Sequence, residues 1–210
     1  MTEQVGAPSL RPNAIAHAAL PLTPSQLWVV RHGETEWSHS GQHTGRTDLP
    51  LTPAGEQQAR ELGKFLGGRP FGVVLTSPLL RACETCRLAG YGHYAVADPS
   101  LREWDYGEYE GRTSAEIQRQ RPGWSLWKDG VPGGESIEQV ATRAQSVMDR
   151  VLARSGDALV FAHGHILRIL LSCWLGLPPQ DGRLFALGTA TVTTLGYEHD
   201  TRVITRLNVG

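Results

Sequence analysis

Lysine is almost absent from this chain. Of its 20 basic residues only Lys64 and Lys128 are lysine, and the other 18 are arginine. A planar guanidinium can grip phosphate or carboxylate oxygens two at a time, which an ammonium cannot do. A surplus of one charge is also lacking: 20 basic residues face 21 acidic ones, for a net charge of −1. That balance argues against the broad basic footprint of a nucleic-acid partner. Cysteine is scarce and odd in number, three in all, so no disulfide framework is expected and a reducing compartment is. Cys83 and Cys86 form a C-x-x-C pair. No second pair completes a zinc site, so they read as two small residues on one helix face. No apolar run approaches the ~18 residues of a membrane span.

Residues 1–25 hold Pro8, Pro12, Pro21 and Pro24 around a short apolar piece from Ala14 to Leu20. Glu3 stands where a secretory signal would be basic, and the apolar piece is short for one. This stretch reads as an irregular tail, and a cytoplasmic protein is expected. There are no repeats and no low-complexity tracts, so residues 26–210 form one domain, a length that buries a proper core.

From Gln26 onward, short β-branched runs alternate with longer helical ones. Residues 27–30, 71–75, 94–97, 158–162, 191–197 and 203–207 read as strands. Residues 52–66 read as a helix with Thr52 as N-cap and Pro53 at its first position. Residues 78–88, 135–154 and 166–175 read as three more. Ile137, Val140, Ala141, Ala144, Val147, Met148, Val151 and Leu152 give the third of these four its apolar stripe. Glu135 and Ser136 are expected to cap it, with a supporting role behind the catalytic residues as the alternative. The alternation predicts an α/β fold in three layers: a mostly parallel sheet, helices on both faces and an antiparallel edge strand.

Three polar clusters fall just past the carboxyl ends of expected strands: Arg31-His32, the stretch from Ser77 to Arg81, and His163-Gly164-His165. Ligands of open α/β sheets bind at that edge. Helix N-termini after Ser77 and His165 would add partial positive charge, so an anion site is expected there. The same cluster has the parts for phosphoryl transfer. A neutral imidazole with one nitrogen held by a hydrogen bond is a competent nucleophile near neutral pH. Guanidiniums and a second imidazole can grip the equatorial oxygens. A carboxylic acid must protonate the leaving alcohol, and Glu103 or Asp105 could supply it.

The order of motifs is specific. Arg31-His32-Gly33-Glu34-Thr35-Glu36-Trp37, Thr44-Gly45 with Asp48-Leu49-Pro50-Leu51-Thr52, Ser77-Pro78-Leu79-Leu80-Arg81-Ala82, Leu101-Arg102-Glu103 with Gly107 and Glu110-Gly111, Gly134-Glu135-Ser136 and His163-Gly164-His165 follow one another from about Leu27 to beyond Leu175. Together they resemble the histidine phosphatase superfamily, which also contains the phosphoglycerate mutases. The resemblance implies His32 as the phosphorylated nucleophile, and Arg31, Arg81 and His163 as holders of the phosphoryl oxygens. Glu103 is implied as acid, then base. Thr44 and Gly45 are implied near the phosphate, and Gln42 and Tyr106 as pocket borders. The pattern departs at Ser38 and Arg46, where mutases usually carry Asn and Trp.

Other polar and aromatic residues carry weaker signals. Arg168, on an apolar helix near His163, reads either as an arginine snorkelling to the rim or as a contact for a second anionic group. His163 and His165 lack the further ligands that a metal site at strand ends would need. No metal or cofactor is expected, and His165 reads as structural. Trp124 and Trp127 read as core or lid packing.

The nearest subgroup in motif order includes small acid phosphatases and sedoheptulose bisphosphatases. It implies a metal-independent phosphatase whose partner is a small phosphorylated metabolite. The alternatives are a mutase and a non-catalytic module that binds phosphorylated ligands. Only 59 residues separate Glu103 from His163, and three follow Leu207. That leaves little chain for the lid a mutase requires. The module would be expected to have lost the nucleophile or an arginine. A homodimer is the ordinary expectation for oligomeric state.

Overall fold

A computed structural model describes residues 26–210; the proline-rich tail lies outside them. The strands are β1 (Leu27–Arg31), β2 (Val73–Thr76), β3 (Ala95–Ala97), β4 (Ala158–Ala162), β5 (Val192–Glu198) and β6 (Thr201–Val209). The helices are α1 (Glu36–Ser40), α2 (Pro53–Leu66), α3 (Leu80–Leu88), α4 (Ser114–Gln120), α5 (Leu126–Asp129), α6 (Ile137–Leu152) and α7 (Gly164–Trp174).

One sheet carries the strands in the order β3-β2-β4-β1-β5-β6. β1, β2, β3 and β4 pair in parallel. β5 pairs antiparallel with both β1 and β6, which supplies the expected antiparallel pairing at one edge. β4 is buried along its whole length, and so is β1 up to Arg31. That double burial is why both read as unbroken apolar runs. Alternate residues serve opposite faces. Leu27 and Val29 join the cluster built with α6 and α7, whereas Trp28 and Val30 join the one built with α2 and α3. These clusters are the two interfaces of a three-layer domain.

The long amphipathic helices start where their caps stand: the Thr52 side chain accepts from Gly55 N, and Ser136 forms a capping box with Gln139. α1, α4 and α5 were not expected. They span five, seven and four residues, too short to show a period. α1 and α4 are specified instead by capping boxes at Thr35 and Thr113. α3 begins at Leu80 rather than Pro78, and Ser77 Oγ accepts from Leu79 N at the turn before it. The turn after β1 is fixed by mutual close approach. A Cβ on Gly33 would lie 2.5 Å from the Gly55 carbonyl oxygen, and one on Gly55 would lie 2.1 Å from that of Glu34. Only glycine at both places lets α2 press against the residues that follow His32.

Candidate active site

The carboxyl ends of β1, β2 and β4 bring the three polar clusters to one rim. His32 leaves β1 with its backbone N–H on the Ala162 carbonyl, 3.0 Å away. Its Nδ1 lies 2.7 Å from the Gly33 carbonyl oxygen. A carbonyl can only accept, so Nδ1 carries the proton and Nε2 keeps its lone pair. Burial, followed by the charges of Arg31 and Arg81, holds this imidazole well below the ordinary histidine range.

Arg81 and His163 form the floor behind His32. Both are fully buried, and the His163 ring lies 5.1 Å from that of His32. Arg81 Nε donates to His163 Nδ1 at 3.0 Å, and its terminal nitrogens donate to the carbonyls of Thr44, Gly45 and Thr47. A guanidinium only donates, so His163 Nδ1 is unprotonated and Nε2–H donates to Ser77 Oγ at 2.7 Å. Burial, then Arg81 and His32, pushes this second imidazole far down as well. Two neutral histidines therefore stand side by side under a guanidinium.

Above them opens a cavity of about 410 Å³, lined among others by Arg31, His32, Gln42, Thr44, Glu103, Tyr106 and Arg168. Seven of the ten expected site residues thus share one wall, with Arg81 and His163 beneath it. Gly45 is the exception. Its N–H is taken by the Glu110 carboxylate at 2.9 and 3.0 Å, so it offers nothing to the cavity. Gly45 is buried, and the Glu110 carboxylate, 65 residues further along the chain, claims its amide, a long-range contact that local spacing does not encode. Arg31 donates to the Leu187 carbonyl at 2.6 Å, while its buried Nε finds no partner among the described residues. A buried donor without a protein partner beside His32 suits an anionic oxygen.

Glu103 is 7% exposed. Its Oε1 accepts from the backbone N–H groups of Trp104 and Ile166, and Oε2 from that of His165, each at 2.9 Å. The carboxylate therefore occupies the N-terminus of α7, satisfying donors that no side chain of the helix itself caps. This also explains why α7 starts at Gly164, two residues earlier than its apolar pattern. Asp105, the other acid considered, pairs with Arg46 at 2.5 Å and accepts from Gly107 N–H, and it lines a different cavity. Glu135 does not cap α6; Ser136 does. Instead Glu135 accepts from Asp105 N–H and from Arg143, which also donates to the carbonyls of Ser100 and Arg102.

The cavity wall also holds residues that sequence reasoning left aside. His43 packs on Tyr106 with ring centroids 4.7 Å apart, and the Tyr106 hydroxyl lies 2.6 Å from His165 Nδ1. Burial, with Glu103 nearby, keeps that phenol far above the ordinary tyrosine range and so protonated. Trp124 and Trp127 both line the cavity. Arg168 lies over the Trp127 ring at 4.6 Å and donates to the carbonyls of Gly182 and Arg183. Gln42 has its amide tied to the Gly111 carbonyl and the Ser40 hydroxyl. His43 stands next to motif residues 44 and 45, which was the one signal that could have drawn attention to it.

A three-layer α/β domain with a free imidazole nitrogen, a guanidinium N–H unpartnered among the described residues and a carboxylate at one sheet edge has the makings of a phosphoryl-transfer enzyme. The family model "Histidine phosphatase superfamily (branch 1)" matches residues 27–210, and the chain belongs to that family. It is 40% identical to an acid phosphatase of Mycobacterium tuberculosis over 188 residues, covering 88% of this chain and 92% of the relative. It is 39% identical to a sedoheptulose 1,7-bisphosphatase of Saccharomyces cerevisiae, covering 76% and 70%. A solved structure of an open-reading-frame product from Mycobacterium tuberculosis superposes with a TM-score of 0.80 at 38% identity, covering 88% and 97%.

Proposed function

We propose that this protein hydrolyses small phosphomonoesters, sugar phosphates and related metabolites, through a phosphoryl group carried on His32 and without a metal. The observation that carries the reading is the held Nδ1 of His32, which leaves Nε2 free in a cavity where Arg31 Nε has no partner among the described residues. Nε2 attacks phosphorus, a P–N bond forms, and the ester P–O bond breaks. Arg31 holds the equatorial oxygens, while Arg81 and the neutral His163 frame the nucleophile from beneath, Arg81 alone adding positive charge. Glu103 gives its proton to the leaving oxygen. Water then attacks phosphorus, Glu103 takes the proton back, and phosphate departs with the P–N bond broken. Oε2 has one backbone donor where Oε1 has two, so Oε2 is the oxygen with room for that proton.

Thr44, Gln42 and Tyr106 shape the wall around the ester, and Arg168 meets a second anionic group where the substrate has one. The short stretch between Glu103 and His163 and the two phosphatase relatives favour hydrolysis over the mutase reaction. Purified protein assayed against a panel of phosphorylated sugars and polyols, with and without EDTA, tests the proposal. Phosphate release should persist in the chelator. Loss of release with recovery on added zinc or magnesium would overturn the metal-free mechanism.

A further inference from the structure

Two imidazoles in the cavity wall, His43 and His165, have no task in this mechanism. His165 sits in the first turn of α7, its side chain 20% exposed and its ring part of the cavity lining. Nδ1 lies 2.6 Å from the Tyr106 hydroxyl and 4.0 Å from Glu103 Oε2. Two arrangements fit the first contact. In one, the tyrosine O–H donates to Nδ1. In the other, Nδ1–H donates to the tyrosine oxygen, and the O–H must find another acceptor. Tyr106 is 1% exposed, and its hydroxyl has no other acceptor among the described residues. A buried donor left unmade is the costlier outcome. Tyr106 therefore donates, Nδ1 accepts, and Nε2 carries the proton of a neutral ring. Nε2–H has no protein partner among the described residues.

We infer that His165 is a specificity-determining residue whose Nε2–H donates to an oxygen of the leaving group, and that Tyr106 is the positioning residue fixing its tautomer. The nearness of the ring to Glu103 Oε2 places this donor close to the ester oxygen that Glu103 protonates. An oxygen one or two bonds farther along the leaving group is within its reach. The favoured substrates are phosphomonoesters of polyols, sugars or hydroxy acids, and those of plain alcohols are disfavoured. A site built to pair with a substrate hydroxyl discriminates strongly against the analogue that lacks it. The inference rests on the phosphomonoesterase reading for its ligand class, though not on turnover.

Binding to a His32→Ala protein, which cannot form the phosphohistidine, tests it by calorimetry with glycerol 1-phosphate and n-propyl phosphate. The two esters share three carbons and differ in the two hydroxyls. Glycerol 1-phosphate should bind about tenfold or more tightly than propyl phosphate, as one good hydrogen bond allows. Adding His165→Phe, which keeps a ring but removes the N–H, should bring that ratio close to one. Adding Tyr106→Phe should lower it part of the way. An unchanged ratio in the His165→Phe protein, no preference in the His32→Ala parent, or no binding of either ester would overturn the inference. Turnover of both esters by the protein with His32 intact is read separately. Its absence counts against the phosphatase reading while the binding ratio still judges His165.

Discussion

A nucleophilic imidazole needs one ring nitrogen held and the other free, and it must also remain unprotonated. The Gly33 carbonyl meets the first need at His32; burial and the charges of Arg31 and Arg81 meet the second. The consequence for pH has a definite sign. Protonation of Nε2 abolishes attack, so activity falls as pH drops through the folded-state pKa of His32. That pKa lies well below the ordinary value, so the neutral form persists at pH 6.5 and below. An unperturbed histidine would be about nine-tenths protonated at pH 5.5, costing roughly tenfold in rate. His163 is pushed the same way and adds no earlier limb. The acidic limb of kcat/KM, which reports free-enzyme groups, should therefore lie clearly below 6.5. A limb centred at 6.5 or above would contradict the assigned environment of His32.

Glu103, the proposed acid, takes one of its three backbone donors from its neighbour Trp104 and the other two from the start of α7. Glu103 lies on the irregular segment after β3 and caps α7, while the Glu135–Arg143 pair ties that segment to the start of α6. Arg143→Met keeps a long apolar stem and removes the guanidinium fork, so Glu103 should lose its fixed place. Misplacing a reacting group by about 1 Å can cost ~10²-fold. We expect kcat for an alkyl phosphate to fall about tenfold or more with KM little changed. The loss should be smaller for p-nitrophenyl phosphate, whose leaving group barely needs a proton. Steady-state kinetics on both substrates decides it: equal losses would make Arg143 a stabiliser of the fold and not a positioner of Glu103. Little of this arrangement could be read from sequence. The Gly134-Glu135-Ser136 motif reads first as two helix-capping residues and second as support for the site; Ser136 takes the first job and Glu135 the second. Only the packing of α6 against the segment around Glu103 separates the two jobs.

For the molecule as a whole, sequence carried the parts that depend on local periodicity and on strand ends. Runs buried on both sides revealed β1 and β4, caps and apolar stripes revealed α2 and α6, and the sheet edge followed from their alternation. Of the seven expected site residues on the cavity wall, Arg31 and His32 follow from the end of β1, whereas Thr44, Gln42 and Tyr106 were implied by the family resemblance. What sequence could not carry is the direction of a side chain or amide set by a distant partner. Gly45 turns to Glu110, Asp105 turns to Arg46, and His165 takes its tautomer from Tyr106. The central claim is that these parts exist to load and unload a phosphoryl group on His32. Rapid acid-free quenching of the enzyme during turnover of a ³²P-labelled substrate, followed by digestion and mapping of the label, tests it most directly. The account predicts an acid-labile, alkali-stable phosphoryl group on the peptide containing His32, with label and turnover both lost in His32→Ala. Full turnover by His32→Ala, or label on another residue, would contradict it.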